Sequence, residues 1–251
     1  MGLNNINTEK PGQTVEAIQA DLAKAKRTQP WVALVLALGL WLPGGAQAGR
    51  LIATPYAETL SEGRYSVWQF GLRENRSTDN WRSLNRLDLG LTDRLELGIF
   101  VINPRNAPTD TWLNVQYRLT AESEQAPTLS VGLWDAADIE KLSGQTTGGS
   151  FFVAAGKTLK PAWGVAPPQY LKLSLGAGTN RLNGLFGGFD VRFTRSTGMF
   201  VEYVPTNLRM PGTDRIDVGV YHWLSPQWRT RVSWMGGNPM IDVFYTGVIG
   251  Q

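Results

Sequence analysis

The chain has 251 residues, of which 18% are charged, with 28 glycines and 10 tryptophans. Cysteine is absent and histidine occurs once, which excludes disulfides, thiol catalysis and metal sites built from cysteines or several histidines. The net charge of +3 is too small to indicate nucleic-acid binding, and the composition predicts no cofactor.

The first 48 residues have the order of a secretory signal peptide. Lys24, Lys26 and Arg27 precede the apolar run at residues 31–42, and Ala46-Gln47-Ala48 follows it. A membrane anchor is the alternative interpretation, but the run is short against the roughly 20 residues that a spanning helix needs. The sequence therefore predicts a signal peptide over residues 1–48 and a mature protein that begins at Gly49.

Residues 49–63 read as a short periplasmic lead-in, and residues 64–251 read as one all-β domain. Period-2 alternation of apolar and polar residues predicts about twelve strands in that domain. They are expected near residues 64–73, 82–91, 94–102, 110–120, 127–134, 149–158, 169–178, 184–194, 198–204, 214–223, 227–235 and 239–248.

The clearest alternation is the hairpin from Leu84 to Val101. Its apolar face carries five leucines, an isoleucine and a valine, whereas its other face carries charges of both signs and glycine. Glycine weakens a strand interior, so its presence among charges suits a crowded, enclosed polar space. The same division on later strands predicts a transmembrane antiparallel β-barrel with a lipid-facing apolar side.

On the first strand, the alternation places Trp68, Phe70 and Leu72 toward lipid and Gln69, Gly71 and Arg73 toward the lumen. Two interpretations of the inward charges remain open: a polar pore that holds a sugar or ion, or ion pairs that plug a narrow lumen. Arg86 is the expected partner of Glu96 on the neighbouring strand. The lumen-lining candidates are Arg73, Arg86, Asp88, Arg94, Glu96, Arg118, Lys172, Asp190, Arg192, Glu202, Arg215, Asp217, Arg229, Arg231 and Asp242.

Connection lengths and tryptophan positions agree with a membrane barrel. Very short connections at residues 92–93, 195–197 and 224–226 suit periplasmic turns, and most intervening connections are longer, although the one near residues 161–168 breaks the rule. Five tryptophans near strand ends predict an interfacial aromatic belt: Trp81, Trp112, Trp134, Trp223 and Trp228.

No motif of an enzyme is present. Nucleotide-binding, calcium-binding and nucleophile-elbow patterns are missing, and His222 stands near a strand end without a nucleophile motif. The sequence therefore predicts a non-enzymatic protein.

Residues 127–193 contain a series of glycine and aromatic motifs. A strand ending in G-x-x-D is followed by an aromatic strand ending in lysine, an L-x-x-G-x-G strand and an F-G-G-x-x-x-R strand. This order resembles the YjbH-like family of Gram-negative outer-membrane proteins. The matching positions are Asp135, Lys157, Gly176, Gly178, Phe186, Gly187, Gly188 and Arg192.

The resemblance implies an outer-membrane location and a role in exopolysaccharide export or surface assembly, with a narrow pore as one form of it. The expected partners are outer-membrane lipid and polysaccharide or polysaccharide-export proteins, and not nucleic acid. A small nonspecific porin and a secreted soluble sugar-binding β-protein are the alternatives.

Overall fold

The computed structural model describes residues 54–75, 80–103, 110–136, 149–159, 170–205 and 215–250. For residues 72–75, 80–82, 110, 181 and 215 it describes the backbone alone. The predicted signal peptide lies outside the described residues.

The described chain is almost entirely β-structure. The one helical element among the described residues is a short 3₁₀ turn at Asn180–Leu182. The strands are β1 (Arg64–Asn75), β2 (Asn80–Gly90), β3 (Leu95–Asn103), β4 (Asp110–Thr120), β5 (Thr128–Trp134), β6 (Ser150–Leu159), β7 (Tyr170–Gly178), β8 (Gly184–Arg192), β9 (Thr197–Val204), β10 (Arg215–Trp223), β11 (Trp228–Met235) and β12 (Asn238–Val248).

The twelve strands form one closed antiparallel barrel. Each strand pairs with its neighbours in sequence, and β12 pairs with β1 from Arg64–Val248 to Leu72–Met240. Closure leaves no strand edge without a partner, so the backbone groups of the wall are satisfied within the wall. The predicted fold class, an antiparallel barrel of about twelve strands, is confirmed.

The predicted division into two faces holds on most strands. On β10, for example, Ile216, Val218 and Val220 are exposed on the outside, whereas Asp217 and Gly219 are buried inside. Side chains alternate across a strand, so one face of each strand supplies the exterior and the other supplies the lumen.

The first strand is the exception, because its predicted faces are reversed. Trp68 and Phe70 are buried in the interior, and Gln69 is exposed on the outside. The Trp68 indole donates to Ser66 Oγ over 3.2 Å, and its ring lies 4.7 Å from that of Phe244. Hydrophobicity alone predicted a lipid face here, but an aromatic ring is equally stable against other rings in a packed lumen.

The prediction of an aromatic belt is wrong for three of the five tryptophans. Trp112, Trp134 and Trp223 are buried inside the barrel, where Trp112 lies 6.2 Å from Trp134 and Trp223 lies 5.8 Å from Phe244. Trp228 lies on the outside against Tyr245, at 4.8 Å. The side chain of Trp81 is outside the described part. Strand ends point into the lumen as often as toward lipid, so position along a strand does not fix the face.

Glycines of the wall lie directly opposite aromatic residues on neighbouring strands. A Cβ at Gly176 would lie 2.3 Å from the ring of Phe186, its register partner. This arrangement lets an inward ring cover the neighbouring backbone, which stabilises a strand despite the glycine. The same arrangement occurs in three further register pairs: Gly132–Phe152, Gly198–Tyr221 and Gly219–Phe200. On the outer face, the ring of Tyr65 covers Gly247 in a similar way.

We predict that Gly176→Ala destabilises the barrel, because the new methyl group displaces the Phe186 ring from a packed interior. Overpacking of this kind costs about 1–3 kcal/mol. The measurement is the urea midpoint of folding in lipid vesicles, followed by the heat-dependent shift in gel mobility. Gly156→Ala is the control, since its Cβ would approach Glu58 and Ala57 only to 3.2–3.3 Å, against 2.3 Å from the Phe186 ring at Gly176. Equal midpoints for the two variants would contradict the ring-over-glycine account.

Candidate functional site

The candidate site is the barrel interior, where the structure brings most of the predicted charged residues together. Nine of the candidates have buried, inward side chains, and three more are partly buried on the same side. The buried ones are Asp88, Glu96, Asp190, Arg192, Glu202, Asp217, Arg229, Arg231 and Asp242, and the partly buried ones are Arg86, Arg118 and Lys172.

Three candidates do not join this group. Arg94 is exposed in the turn between β2 and β3, because the strand begins one residue later than the alternation indicated. The side chains of Arg73 and Arg215 lie outside the described part of the structure.

The ion pair of Arg86 differs from the one expected. Its Nε donates to both oxygens of Asp88, two residues along the same strand face, at 2.8 and 3.0 Å. Asp88 also accepts from Ser66 Oγ at 3.0 Å. Glu96, the expected partner, instead accepts from the backbone of Leu60. Asp88 is the nearer partner of Arg86 because both side chains lie on the lumen face of β2, two residues apart.

Two buried arginines fill the lumen beside β12. Arg229 and Arg231 are each 1% exposed, and the Nε of Arg231 donates to Asp242. Aromatic rings surround both guanidinium groups. Arg229 Cζ lies 4.7–5.5 Å from the rings of Phe244, Trp68, Trp223 and Tyr221, and Arg231 Cζ lies 4.9–5.9 Å from those of Phe200, Trp68 and Phe70.

We call these two arginines and six rings the arginine–aromatic cluster. A guanidinium over a ring face is attracted electrostatically, and more strongly where water is excluded. Carboxylates, Asp242 among them, and the ring faces thus compensate the two cations in the interior. Both guanidinium groups are therefore shielded from solvent.

The interior also holds a piece of the chain that precedes the barrel. Residues 54–60, here called the lumen segment, were expected in a periplasmic lead-in but lie inside the barrel. Thr54, Tyr56, Ala57, Thr59 and Leu60 are all buried. The segment reaches β1 through a bend at Gly63, which has a φ of +70° and donates its backbone N–H to Gly90 O.

Side chains of four strands hold the lumen segment. Glu202 Oε2 accepts from the backbone N and Oγ1 of Thr54 at 3.2 and 2.9 Å, and Glu96 Oε2 accepts from Leu60 N at 2.8 Å. Gln116 Nε2 donates to the backbone oxygens of residues 56 and 58. Lys172 pairs with Glu58 at 2.7 Å and lies 4.7 Å from the Tyr56 ring.

The lumen segment therefore crosses the lumen from Glu202 on β9 to Glu96 on β3. The segment enters beside the short turn at residues 91–94, where Thr59 Oγ1 donates to Asp93 O at 3.0 Å. Gly90 permits this entry, since a Cβ there would lie 2.2 Å from Ser61 O. Glu96 and Glu202, which the sequence predicted to line the lumen, therefore accept hydrogen bonds from the chain's own backbone.

Sequence reasoning missed the interior aromatics and the lumen segment. The signal for the aromatics was present, because Tyr221 and Trp223 share the parity of Asp217, and Phe244 shares that of Asp242. The segment at residues 54–60 carries no alternation, so nothing in its pattern indicated a buried position.

Further hydrogen bonds connect side chains within the described interior. Tyr221 donates to Asp190 at 2.7 Å, and Asp217 accepts from Gly236 N at 2.7 Å. No group of three metal-binding side chains occurs among the described residues. His222 is exposed and shares a 2.9 Å hydrogen bond with Thr197 Oγ1.

The exterior of the barrel is mainly apolar on the described strands. Leucine, valine, isoleucine and aromatic residues occupy most outward strand positions, including Leu87, Ile99, Leu133, Phe151, Leu173, Leu175, Ile216, Val220, Val232 and Ile241. So large an exposed apolar surface around a closed sheet suits hydrocarbon rather than water.

No helix among the described residues has the length and hydropathy to cross a membrane.

Several solved structures resemble this chain, two of them as follows. The COG4313 outer membrane channel from Pseudomonas putida F1 is 10% identical, with 79% of this chain and 100% of that chain covered and a TM-score of 0.36. The N-terminal β-barrel domain of Pseudomonas aeruginosa OprF is 11% identical, with 74% and 99% covered and a TM-score of 0.24. No family model and no curated protein matches the sequence.

The location follows from the architecture itself. An even number of antiparallel strands, a closed wall, an apolar exterior and a polar interior together define the outer-membrane type of β-barrel. The chain is an outer-membrane β-barrel.

We predict that Leu175→Arg impairs insertion into lipid. Leu175 lies midway along β7 and is 62% exposed, so its replacement puts a charge at mid-membrane, at a cost of about 2–4 kcal/mol. Leu224→Arg is the matched control, because Leu224 is 65% exposed but lies in a short end turn. The cost there is about 0–1 kcal/mol. In a water-soluble barrel both variants would be neutral, so equal stability in lipid would contradict the membrane assignment.

We predict a second loss of stability for Asp242→Asn. The change removes the charge of the Asp242 carboxylate beside the buried Arg231 guanidinium, and breaking a buried ion pair costs about 3–5 kcal/mol. Equilibrium unfolding in urea, followed by tryptophan fluorescence, measures it. Asp93→Asn makes the same replacement in an exposed turn and should stay within about 0.5 kcal/mol of the wild type. A similarly small effect at Asp242 would mean that the arginine–aromatic cluster does not need its carboxylate.

Proposed function

We propose that this outer-membrane barrel has a non-enzymatic role in exopolysaccharide export or surface assembly, and that it acts as a closed barrel rather than as an open diffusion pore. The observation that carries the closed state is the filled interior. The arginine–aromatic cluster occupies the lumen beside β12, and the lumen segment crosses it from β9 to β3.

The interior supports this proposal over a nonspecific porin. A porin keeps a water-filled lumen lined with polar side chains. Here Glu96, Gln116, Lys172 and Glu202 are engaged by the lumen segment, and Arg229 and Arg231 are each 1% exposed. The charged groups thus stabilise the barrel from inside.

The apolar exterior supports it over a secreted soluble sugar-binding protein. Such a protein would expose polar residues along its strands, whereas the outward positions here are mainly aliphatic. The surfaces left for binding polar molecules are then the two ends of the barrel.

The polysaccharide part of the proposal is supported by the resemblance of residues 127–193 to the YjbH-like family. Several residues that carry it are parts of the wall: Gly176 accommodates the Phe186 ring, and Arg192 Cζ lies 4.9 Å from the Tyr170 ring. Asp135 directly follows β5 and has a left-handed conformation, with a φ of 55°. The residues that carry the resemblance thus lie in or beside the barrel wall.

The test has a cellular and an electrical part. Deletion of the gene in its native bacterium should lower the exopolysaccharide recovered from the cell surface, and the wild-type gene should restore it. Purified protein in planar bilayers should show no stable open channel. Complementation with Leu224→Arg serves as the control for a variant that assembles normally.

Each part has an outcome that contradicts the proposal. Unchanged polysaccharide after deletion would remove the export or assembly role. A steady ohmic conductance of porin size from the wild-type protein would show that the lumen is open and would favour the nonspecific porin.

A further inference from the structure

The exterior of the barrel carries a polar patch on the described parts of β1, β2 and β3. Among the outward-facing strand side chains that the structure describes, carboxamides occur at Gln69, Asn85 and Asn103 and are confined to these three adjacent strands. On β7 the outward residues are all apolar: Leu171, Leu173, Leu175 and Ala177.

The strand register makes these residues neighbours. Gln69 lies directly opposite Asn85 across β1 and β2, and Ser83 lies opposite Asn103 across β2 and β3. Asn85 Nδ2 donates to Ser83 Oγ at 3.1 Å, which leaves its carbonyl oxygen and the exposed Gln69 amide on the outer surface. Gly71, opposite Ser83, adds a position with no side chain.

A polar patch of this kind is costly against hydrocarbon. An amide that leaves water needs hydrogen-bond partners, and lipid chains offer none. Membrane proteins satisfy such groups at contacts with other proteins, where small residues also allow close approach. The amides and the neighbouring glycine and serine have this composition.

We propose that the patch formed by Gln69, Gly71, Ser83, Asn85 and Asn103 is the contact surface between two copies of this chain in the outer membrane. A carboxamide both donates and accepts, so the patch is complementary to itself across a twofold axis. The five patch residues are uncharged, so two patches meet without repulsion between their own side chains. Anionic lipid headgroups would instead call for lysine or arginine in the patch.

The test uses the absence of cysteine from the chain. Asn85→Cys and Gln69→Cys are each introduced as the single cysteine, and isolated outer membranes are oxidised with copper phenanthroline. Both variants should form a cross-linked dimer, seen on non-reducing gels and identified by mass spectrometry. Leu175→Cys, on the apolar side at β7, is the matched control and should stay monomeric.

A second variant distinguishes a specific dimer from random cross-linking between barrels that diffuse in the membrane. Gln69→Leu combined with the Asn85→Cys reporter removes one amide and keeps a side chain of similar size. We expect the cross-linked dimer to fall to the level of the Leu175→Cys control, while the heat-dependent gel shift of a folded barrel is unchanged.

Three results would overturn the proposal. They are the absence of a dimer from both patch variants, equal cross-linking at Leu175, and a cross-linked product that contains a different protein. None of them bears on the polysaccharide or conductance measurements, so this inference and the proposed function fail separately.

Discussion

The pairing of β12 with β1 is the contact on which the other features depend. It joins the last strand to the first along most of their length, from Arg64–Val248 to Leu72–Met240. An open sheet would present unpaired backbone groups to lipid, where each costs several kcal/mol. Closure removes those edges and at the same time creates an inside that has to be filled or hydrated.

This barrel fills its inside with charge and aromatic rings together. A guanidinium in an apolar interior is costly, but a ring face and a carboxylate both compensate it. Arg231 has Asp242 and three rings, and Arg229 has four rings around it. The rings in turn need space above the wall, and the glycines opposite Phe152, Phe186 and Phe200 supply it.

The lumen segment also provides partners for charged side chains in the interior, with backbone groups instead of aromatic rings. The carboxylates of Glu96 and Glu202 point inward because their strands alternate, and each finds backbone N–H donors on residues 54–60. The segment's own backbone is satisfied in return by Gln116. A stretch without regular structure can lie buried here because the barrel's polar side chains replace water as its hydrogen-bond partners. The filled lumen directs attention to the ends of the barrel and to its exterior as the surfaces that meet other molecules.

The sequence by itself determined the class of fold, the number of strands and the faces of most of them, because alternation is a local property with a period of two. It identified most of the inward charges, such as Asp217 on β10 and Arg229 and Arg231 on β11. Tertiary structure decided what depends on partners distant in sequence. Trp68 faces Arg229 only because β12 closes onto β1, and Glu96 binds Leu60 only because the lumen segment crosses the barrel. A hydrophobic side chain has the same pattern whether its neighbour is lipid or a buried ring, so only the assembled barrel distinguishes the two.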